Sequence, residues 1–450
     1  MRIFKNKYLS FINSFYYSIL CAILVFISHT FNIELLSIVL VGLSASLGLL
    51  VSDNLNFILT PALTIFFSLS EKNSFGGQGS FYTVESLTTV AMICLIFVTC
   101  LVAHYVLNRK KYDFKSVIKS PIFYGILFLS ISFLFNNFLP KEQFYWKDFG
   151  FSLALLIAYL GIFIILYTGL DFSKDLKKNV IFALFVSSAL VTLEFYSLFL
   201  TGQIQFENGE IVKESIVTGW GIWNTMGCYL SMLLPIHFYL ASFVKKYGFI
   251  FYGTGLISYL AIVLSLSRSS LLAGTFVMGI SIILCCFFGE NKKVNRIISI
   301  SLAIVGIVGI ILLWDKIANI LGDYISRGLD DNGRFEIYIT GWNKFLSHPI
   351  FGCGFYNSHY INEIGLPFGY HNTIVQMIAS CGIIGLVAYL FHRYQTIMLF
   401  IKNRNIKNIY LALCICALLI TSLLDIHMFS LYPTLYYILI LITIEKRLTH

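Results

Sequence analysis

Apolar runs long enough to cross a bilayer recur along the whole chain, with short polar segments between them. They lie at about 13–30, 34–51, 56–70, 87–107, 121–139, 149–170, 179–200, 220–243, 248–267, 269–289, 294–314, 371–400, 408–424 and 428–445. A hydrocarbon core of roughly 30 Å asks for about 20 apolar residues per helix, and lipid leaves a single span no other way to satisfy its backbone. The pattern predicts an all-α polytopic membrane protein of about 14 transmembrane helices, in a range of 12–14. One long polar interruption, 315–370, predicts a large extracytoplasmic loop. Inside it Phe335, Tyr338, Trp342 and Phe345 recur at i, i+3, i+7 and i+10, one apolar face of a short amphipathic helix from Arg334 to Ser347. Asp330, Asp331 and Asn332 are N-cap candidates, and His348–Pro349 marks the stop. Such a helix is expected to lie along the outer membrane surface, with Gly352 and Gly354 allowing a tight turn back.

Composition agrees. Of 450 residues 58% are apolar and 12% charged, about half the charged fraction of a soluble domain. No Gly/Ser linker, low-complexity tract or repeat divides the chain, so 1–450 reads as one integral domain. No cleavable signal is expected: after Arg2, Lys5 and Lys7 the first apolar run ends in HTFNIE, without a small-x-small pattern. Of 10 cysteines only Cys353 falls in the large loop, which argues against a disulfide framework.

A net charge of +9 raises the question of nucleic acid. With the N-terminus in the cytosol, however, most lysines and arginines fall on inner segments, among them Arg109–Lys111, Lys177–Lys178, Lys292–Lys293, Arg393–Arg404 and Lys446–Arg447. The excess therefore follows the positive-inside rule. It implies no nucleic-acid partner, cytoplasmic termini at both ends and an external 315–370 loop. Trp146, Trp220, Trp223 and Trp314 fall at expected outer ends, where indole prefers the headgroup layer.

Candidate chemistry gathers at that outer face. Arg327, Arg334, Lys344, His348 and His359 share the loop, and His371 and Asn372 open the next helix. A helix start offers unpaired N–H groups to an anion such as phosphate; the plainer alternative is an interfacial helix start. Arg268, in SLSRSSLL, sits where the ninth run turns into the tenth, either snorkelling or functional. Glu194, inside the seventh run, is a candidate partner for it. His348, His359 and His371 match no common zinc spacing, Asp330–Asp331 reads as a cap, and HTFNIE holds no Asp-x-Asp pair, so no metal is expected.

RSSLL fits the pattern Arg, any three, Leu of bacterial O-antigen ligases. HNTIVQMIASCGIIG fits that family's His, then Asn/Ser/Gln, nine residues, Gly, two residues, and Gly/Thr/Tyr. NGRFEIYITGWNKFLSHPIFGCGF resembles its loop, with Arg, Trp, Pro and paired glycines. Over roughly 220–425 the chain thus resembles the O-antigen ligases and the Wzy-type O-antigen polymerases. The resemblance implies a GT-C-type glycosyltransferase, free of metal and cofactor, among membrane lipids on the outer face of the bacterial inner (cytoplasmic) membrane. Its donor would be an undecaprenyl-pyrophosphate-linked glycan and its acceptor a glycan or a lipid. Arg268 and Arg334 match the arginines that hold the departing pyrophosphate by two-point contact. His371 matches the general base, imidazole having an ordinary pKa of about 6.5; the alternative is that it binds pyrophosphate. Arg327, Trp342 and Asn372 are the substrate-binding candidates. Fourteen runs exceed the dozen usual for ligases, which leans the reading slightly toward polymerase. The rival from another class is a transporter or flippase for lipid-linked oligosaccharide, which would set its charges near the midplane rather than at one face.

Overall fold

The computed structural model describes residues 2–31, 33–65, 84–135, 137, 146–171, 176–207, 210–219, 221–312, 314, 318, 333–355, 360–361 and 367–446. Among these, 7 helices have the length and composition of a membrane span: Glu34–Val51, Leu87–Leu107, Asp148–Gly169, Asn179–Leu200, Trp223–Phe243, Arg268–Phe287 and Thr373–Lys402. Asn6–Ile12 and Phe15–Thr30, bent by 63°, make an eighth if read as one span. Shorter apolar helices at Phe123–Phe135, Gly248–Leu264, Ile406–Ser422 and Tyr432–Glu445, and a helix over Lys292–Leu312, fill other apolar runs. The all-α membrane class holds. The run expected at 56–70 differs: up to Ile65 it forms a 3-10 turn, Asn56–Ile58, and a six-residue helix, Leu59–Thr64. Asn56 is the local cause, its side-chain oxygen accepting the Asp171 N–H at 2.9 Å and tying the chain to a neighbouring turn.

Trp223–Phe243 is the central helix, 94% of its span window being buried. It packs against the 248–264, 268–287, 406–422 and 176–200 helices. Lipid tails give apolar helix faces no reason to prefer each other, so close backbone approach and interhelical hydrogen bonds decide packing. Both occur here. His237 bonds Ser188 Oγ at 2.9 Å and Thr254 Oγ1 at 3.0 Å. A Cβ at Gly227 would lie 2.5 Å from Ser270 Oγ.

Polar contacts sort the helix ends into two sets. At one end Glu194 Oε1 meets His29 Nε2 at 2.6 Å and accepts the Gly219 N–H at 2.7 Å. At the other, Lys111 pairs with Asp53 at 3.0 Å, and Ser120 and Tyr167 donate to Glu445 at 2.7 and 2.9 Å. Glu194 therefore takes His29, and not Arg268, as its partner. His29, in the last turn of the Phe15–Thr30 helix, reaches the end of the 176–200 helix, where imidazole and amide both meet one oxygen of the buried carboxyl. Arg393, counted above with the inner basic residues, is turned inward instead. Its guanidinium nitrogens are buried and it lies 5.0 and 4.9 Å from the Tyr389 and Tyr437 ring centres.

Candidate active site at one end of the bundle

Among the described residues, two that are not glycine hold a left-handed backbone: Leu266 (φ 55°) and His371 (φ 47°). Such conformations cost about 1–3 kcal/mol each and persist where surroundings over-determine them. Both turns belong to the motifs singled out in the sequence, Leu266 standing two residues before Arg268.

The His371 turn is fixed from several sides. Asn372 is the N-cap of Thr373–Lys402; its side-chain oxygen accepts the Ile374 and Val375 N–H groups at 2.8 and 3.1 Å. Its amide donates to the Leu423 carbonyl at 2.9 Å. Asn372 thus satisfies first-turn donors that the sequence reading offered to an anion. Tyr338 donates its hydroxyl to the His371 carbonyl at 3.4 Å. The ring itself faces Asp425, Nδ1 to Oδ1 being 3.3 Å.

Asp425 was not singled out in the sequence. It stands between the last two membrane helices, its Oδ1 accepting the Ile426 N–H at 2.8 Å and its Oδ2 lying 3.7 Å from His427 Nε2. Burial works against its ionisation, but the two imidazoles and the Ile426 N–H outweigh that and hold its pKa well below the usual carboxylate range. Burial also pushes His427 down, with Asp425 opposing. An ionised Asp425 favours the His371 tautomer with its proton on Nδ1, in which Nε2 is the basic nitrogen. Asp425→Asn is expected to lower turnover by roughly 10²-fold or more, because an amide no longer selects that tautomer. Donor binding, measured separately, should be nearly unchanged. The depressed carboxylate pKa sets the sign of the pH dependence: the stabilisation is present at neutral pH and lost as pH falls through the native carboxylate pKa.

The expected amphipathic helix exists as Arg334–Ser347, with Gly333 at its N-cap position at φ 71°; the cap candidates Asp330, Asp331 and Asn332 lie outside the described residues. His348 is its C-cap, as the His348–Pro349 stop predicts. Its faces divide differently from the expected single stripe. Tyr338 and Gly341 turn to the protein; a Cβ at Gly341 would come 2.5 Å from Val375 Cγ1 and 3.0 Å from the Tyr370 ring. Arg334, one turn before Tyr338, is half-buried on the same side. Phe335 and Trp342 fall on the neighbouring, exposed side, with the Trp342 ring against Phe345 at 5.1 Å.

Beyond this helix the glycine-rich segment does more than turn. Thr373–Lys402 is broken at Gly382 (φ 62°, ψ −159°). In an unbroken helix Ile383 and Ile384 would donate to Ala379 and Ser380. Instead they donate to the Pro349 and Ile350 carbonyls at 2.8 and 3.2 Å. The vacated Ala379 and Ser380 carbonyls accept the Cys353 and Gly354 N–H groups, both at 2.9 Å. The loop backbone is spliced into the membrane helix, and each of these exchanged donors and acceptors keeps a partner, as burial demands.

Arg268 opens Arg268–Phe287 after a turn of buried serines, in which Ser267 Oγ donates to Ser270 Oγ at 2.9 Å. That turn rests on Gly227 of the central helix. The next residue, Cys228, meets Thr421 at 3.2 Å, one turn before Asp425. Arg268 and the His371–Asp425 pair therefore both border the first turns of the central helix. Arg334 stands one turn before Tyr338, whose hydroxyl meets the His371 carbonyl. Trp342 is not brought to His371, and Arg327, His359, Asp330 and Asp331 lie outside the described residues.

Residues 253–390 match the family model described as O-Antigen ligase. A comparison with curated proteins gave no match. The matched stretch holds Arg268, Arg334, Trp342, His371, Asn372 and Gly382, and it bears out the resemblance read from the motifs; Asp425 lies beyond it.

Proposed function

We propose, from an O-antigen-ligase-type stretch over 253–390, that the chain is a metal-independent glycosyltransferase of surface-polysaccharide synthesis. It works on the outer face of the bacterial cytoplasmic membrane, with both termini inside. The donor is an undecaprenyl-pyrophosphate-linked glycan; the acceptor is another lipid-linked glycan in preference to a lipid core, making the chain a polymerase rather than a ligase. The observation that carries this reading is the His371 turn, its ring on Asp425 at 3.3 Å and its carbonyl on Tyr338 of the Arg334 helix.

In this reading His371 Nε2 takes the proton of the acceptor hydroxyl. The hydroxyl oxygen bonds the anomeric carbon, and the bond from that carbon to the phosphate oxygen breaks. Pyrophosphate leaves with the electron pair, its charge met by Arg268 and Arg334. Planar guanidinium matches two phosphate oxygens at once, and ammonium does not. Arg268→Lys and Arg334→Lys are therefore each expected to slow transfer by roughly tenfold or more, about 1.4 kcal/mol of transition-state stabilisation, at normal abundance. The assay is elongation of an undecaprenyl-pyrophosphate glycan by purified protein in EDTA. Near-normal rates in both variants, or activity abolished by EDTA and restored by manganese, count against the reading.

The buried Arg393 favours the alternative of a lipid-linked oligosaccharide flippase, which would carry charge inside the bundle. The same assay separates the two, because a flippase moves the lipid without forming a glycosidic bond.

A further inference from the structure

We infer that the Arg268–Phe287 and Lys292–Leu312 helices bound a cleft, open to the bilayer and headed by Arg268, that holds the polyprenyl tail of the donor. The identity of that lipid rests on the transferase reading; the cleft itself does not.

The two helices follow one another in the chain and are joined beside Ser242, at the far end of the central helix, where the Ser242 carbonyl accepts the Glu290 N–H. There Cys286 Sγ donates to Ser299 Oγ at 3.3 Å, and Arg296 donates to the Cys286 carbonyl at 3.2 Å. Tyr252 closes the corner, its hydroxyl 2.7 Å from Ser299 Oγ. The Cys286–Ser299 contact fixes which faces look at each other. On the first helix Arg268, Leu272, Thr275, Gly279 and Cys286 recur at i, i+4, i+7, i+11 and i+18, a single stripe. On the second, Ser299, Ala303 and Gly306 recur at i, i+4 and i+7. Beyond the contact these stripes separate. Leu272, Thr275, Phe276 and Gly279 are exposed, and so is every residue from 300 to 308. Nine consecutive positions make about two and a half turns, so no side of that stretch is packed. Gly279 and Gly306 each stand seven residues past the contact, about 10 Å along the axis. Small residues at one depth let two helices approach closely, yet a Cβ added at either would meet nothing within 4 Å. The helices therefore diverge toward the Arg268 end.

The walls select the occupant. They are apolar apart from Thr275, whose hydroxyl lies 2.8 Å from that of Tyr259. Arg268 heads one wall, on the same stripe as Leu272 and Gly279. A guanidinium above an apolar cleft complements an amphiphile whose hydrocarbon chain hangs from a phosphate. In the proposed reaction Arg268 meets the donor pyrophosphate, and the chain continuing from that phosphate is the polyprenyl tail. A cleft open along its side accepts a long chain without drawing it out of the bilayer.

The test uses the full-length protein in phosphatidylethanolamine–phosphatidylglycerol vesicles, with undecaprenyl pyrophosphate as the probe. Phe276, or Ile304 on the far side of its helix as a control, is replaced by p-benzoylphenylalanine. Adducts formed on irradiation are read by mass spectrometry, without turnover. The inference expects a prenyl adduct at Phe276 in clear excess over Ile304. Gly306→Phe, which fills the cleft, should abolish it, as should Ala303→Phe if the first variant does not fold. Equal prenyl-to-phospholipid ratios at the two positions, or capture of a second copy of the chain at Phe276, overturn it. A kinetic arm compares glycan donors carried on undecaprenyl and on farnesyl pyrophosphate. Gly306→Phe should raise KM for the long donor roughly tenfold, the worth of about two buried methylene groups, and leave the short donor unchanged. Transfer from both donors with an unaltered preference overturns the cleft alone. A Phe276 adduct without transfer from either donor by the wild type overturns the transferase reading and leaves the cleft standing.

Discussion

Replacing His371 by glutamine is expected to cut glycan transfer by roughly 10²–10⁴-fold, the range over which a positioned proton acceptor accelerates a step. An amide can hydrogen-bond, but it cannot take a proton. Donor binding is expected to persist, because the charge on pyrophosphate is assigned to Arg268 and Arg334. The left-handed backbone at φ 47° supplies a control that an ordinary helix start would not offer. Glycine adopts that conformation without strain, which offsets part of the lost contact with Asp425, so His371→Gly should still fold, with heat stability close to that of His371→Gln, while transfer stays at the glutamine level. Loss of activity with stability kept separates chemistry from structure. His348→Ala, at an exposed helix end, should leave the rate near normal. If glutamine restores most of the rate, or if the variants lose donor binding instead of turnover, His371 holds phosphate and is not the base.

The second large effect concerns folding. A Cβ at Gly352 would stand 2.3 Å from the Ser380 carbonyl carbon, and one at Gly382 2.5 Å from the Ile350 carbonyl carbon. These neighbours are backbone and cannot swing aside. Relief of either clash pulls apart the bonds joining 349–354 to 379–384. Each polar group left bare costs about 1–3 kcal/mol. A non-glycine residue in the left-handed region adds roughly 1–2 kcal/mol. Gly352→Val and Gly382→Val are thus expected to destabilise by several kcal/mol. Most of the protein should leave the monodisperse peak in gel filtration after a brief heat step. Gly279→Ala, with nothing within 4 Å of the added carbon, should behave as wild type. Normal heat stability in both valine variants would show that the splice carries little of the fold's stability.

Much of this was legible in the chain, because periodicity and length report on lipid directly. The helical class, the Arg334–Ser347 helix and the motif around His371 follow from residue pattern alone. Pairings between distant elements do not. Asp425 is a single acidic residue in a short connection, with nothing local to tie it to His371, yet the register of the last three membrane helices puts them 3.3 Å apart. Glu194 looked like a partner for Arg268 because both fall at one face; which buried group reaches it first is a matter of packing, and His29 does. The amphipathic stripe misled for a related reason. Aromatic spacing marks two faces of the helix as apolar, and only the docking of Gly341 against Val375 decides which one is covered.

The exchange of backbone partners between 349–354 and 379–384 also limits what can be recombined. A chimera that swaps the large loop for a relative's, to change which acceptor is used, inherits a connector whose carbonyls and amides must meet a gap of the same register in the recipient's membrane helix. Loop and helix are one transferable unit. Boundaries drawn at the membrane surface cut through it, whereas boundaries at about Gly333 and Gly385 keep both halves of the joint together.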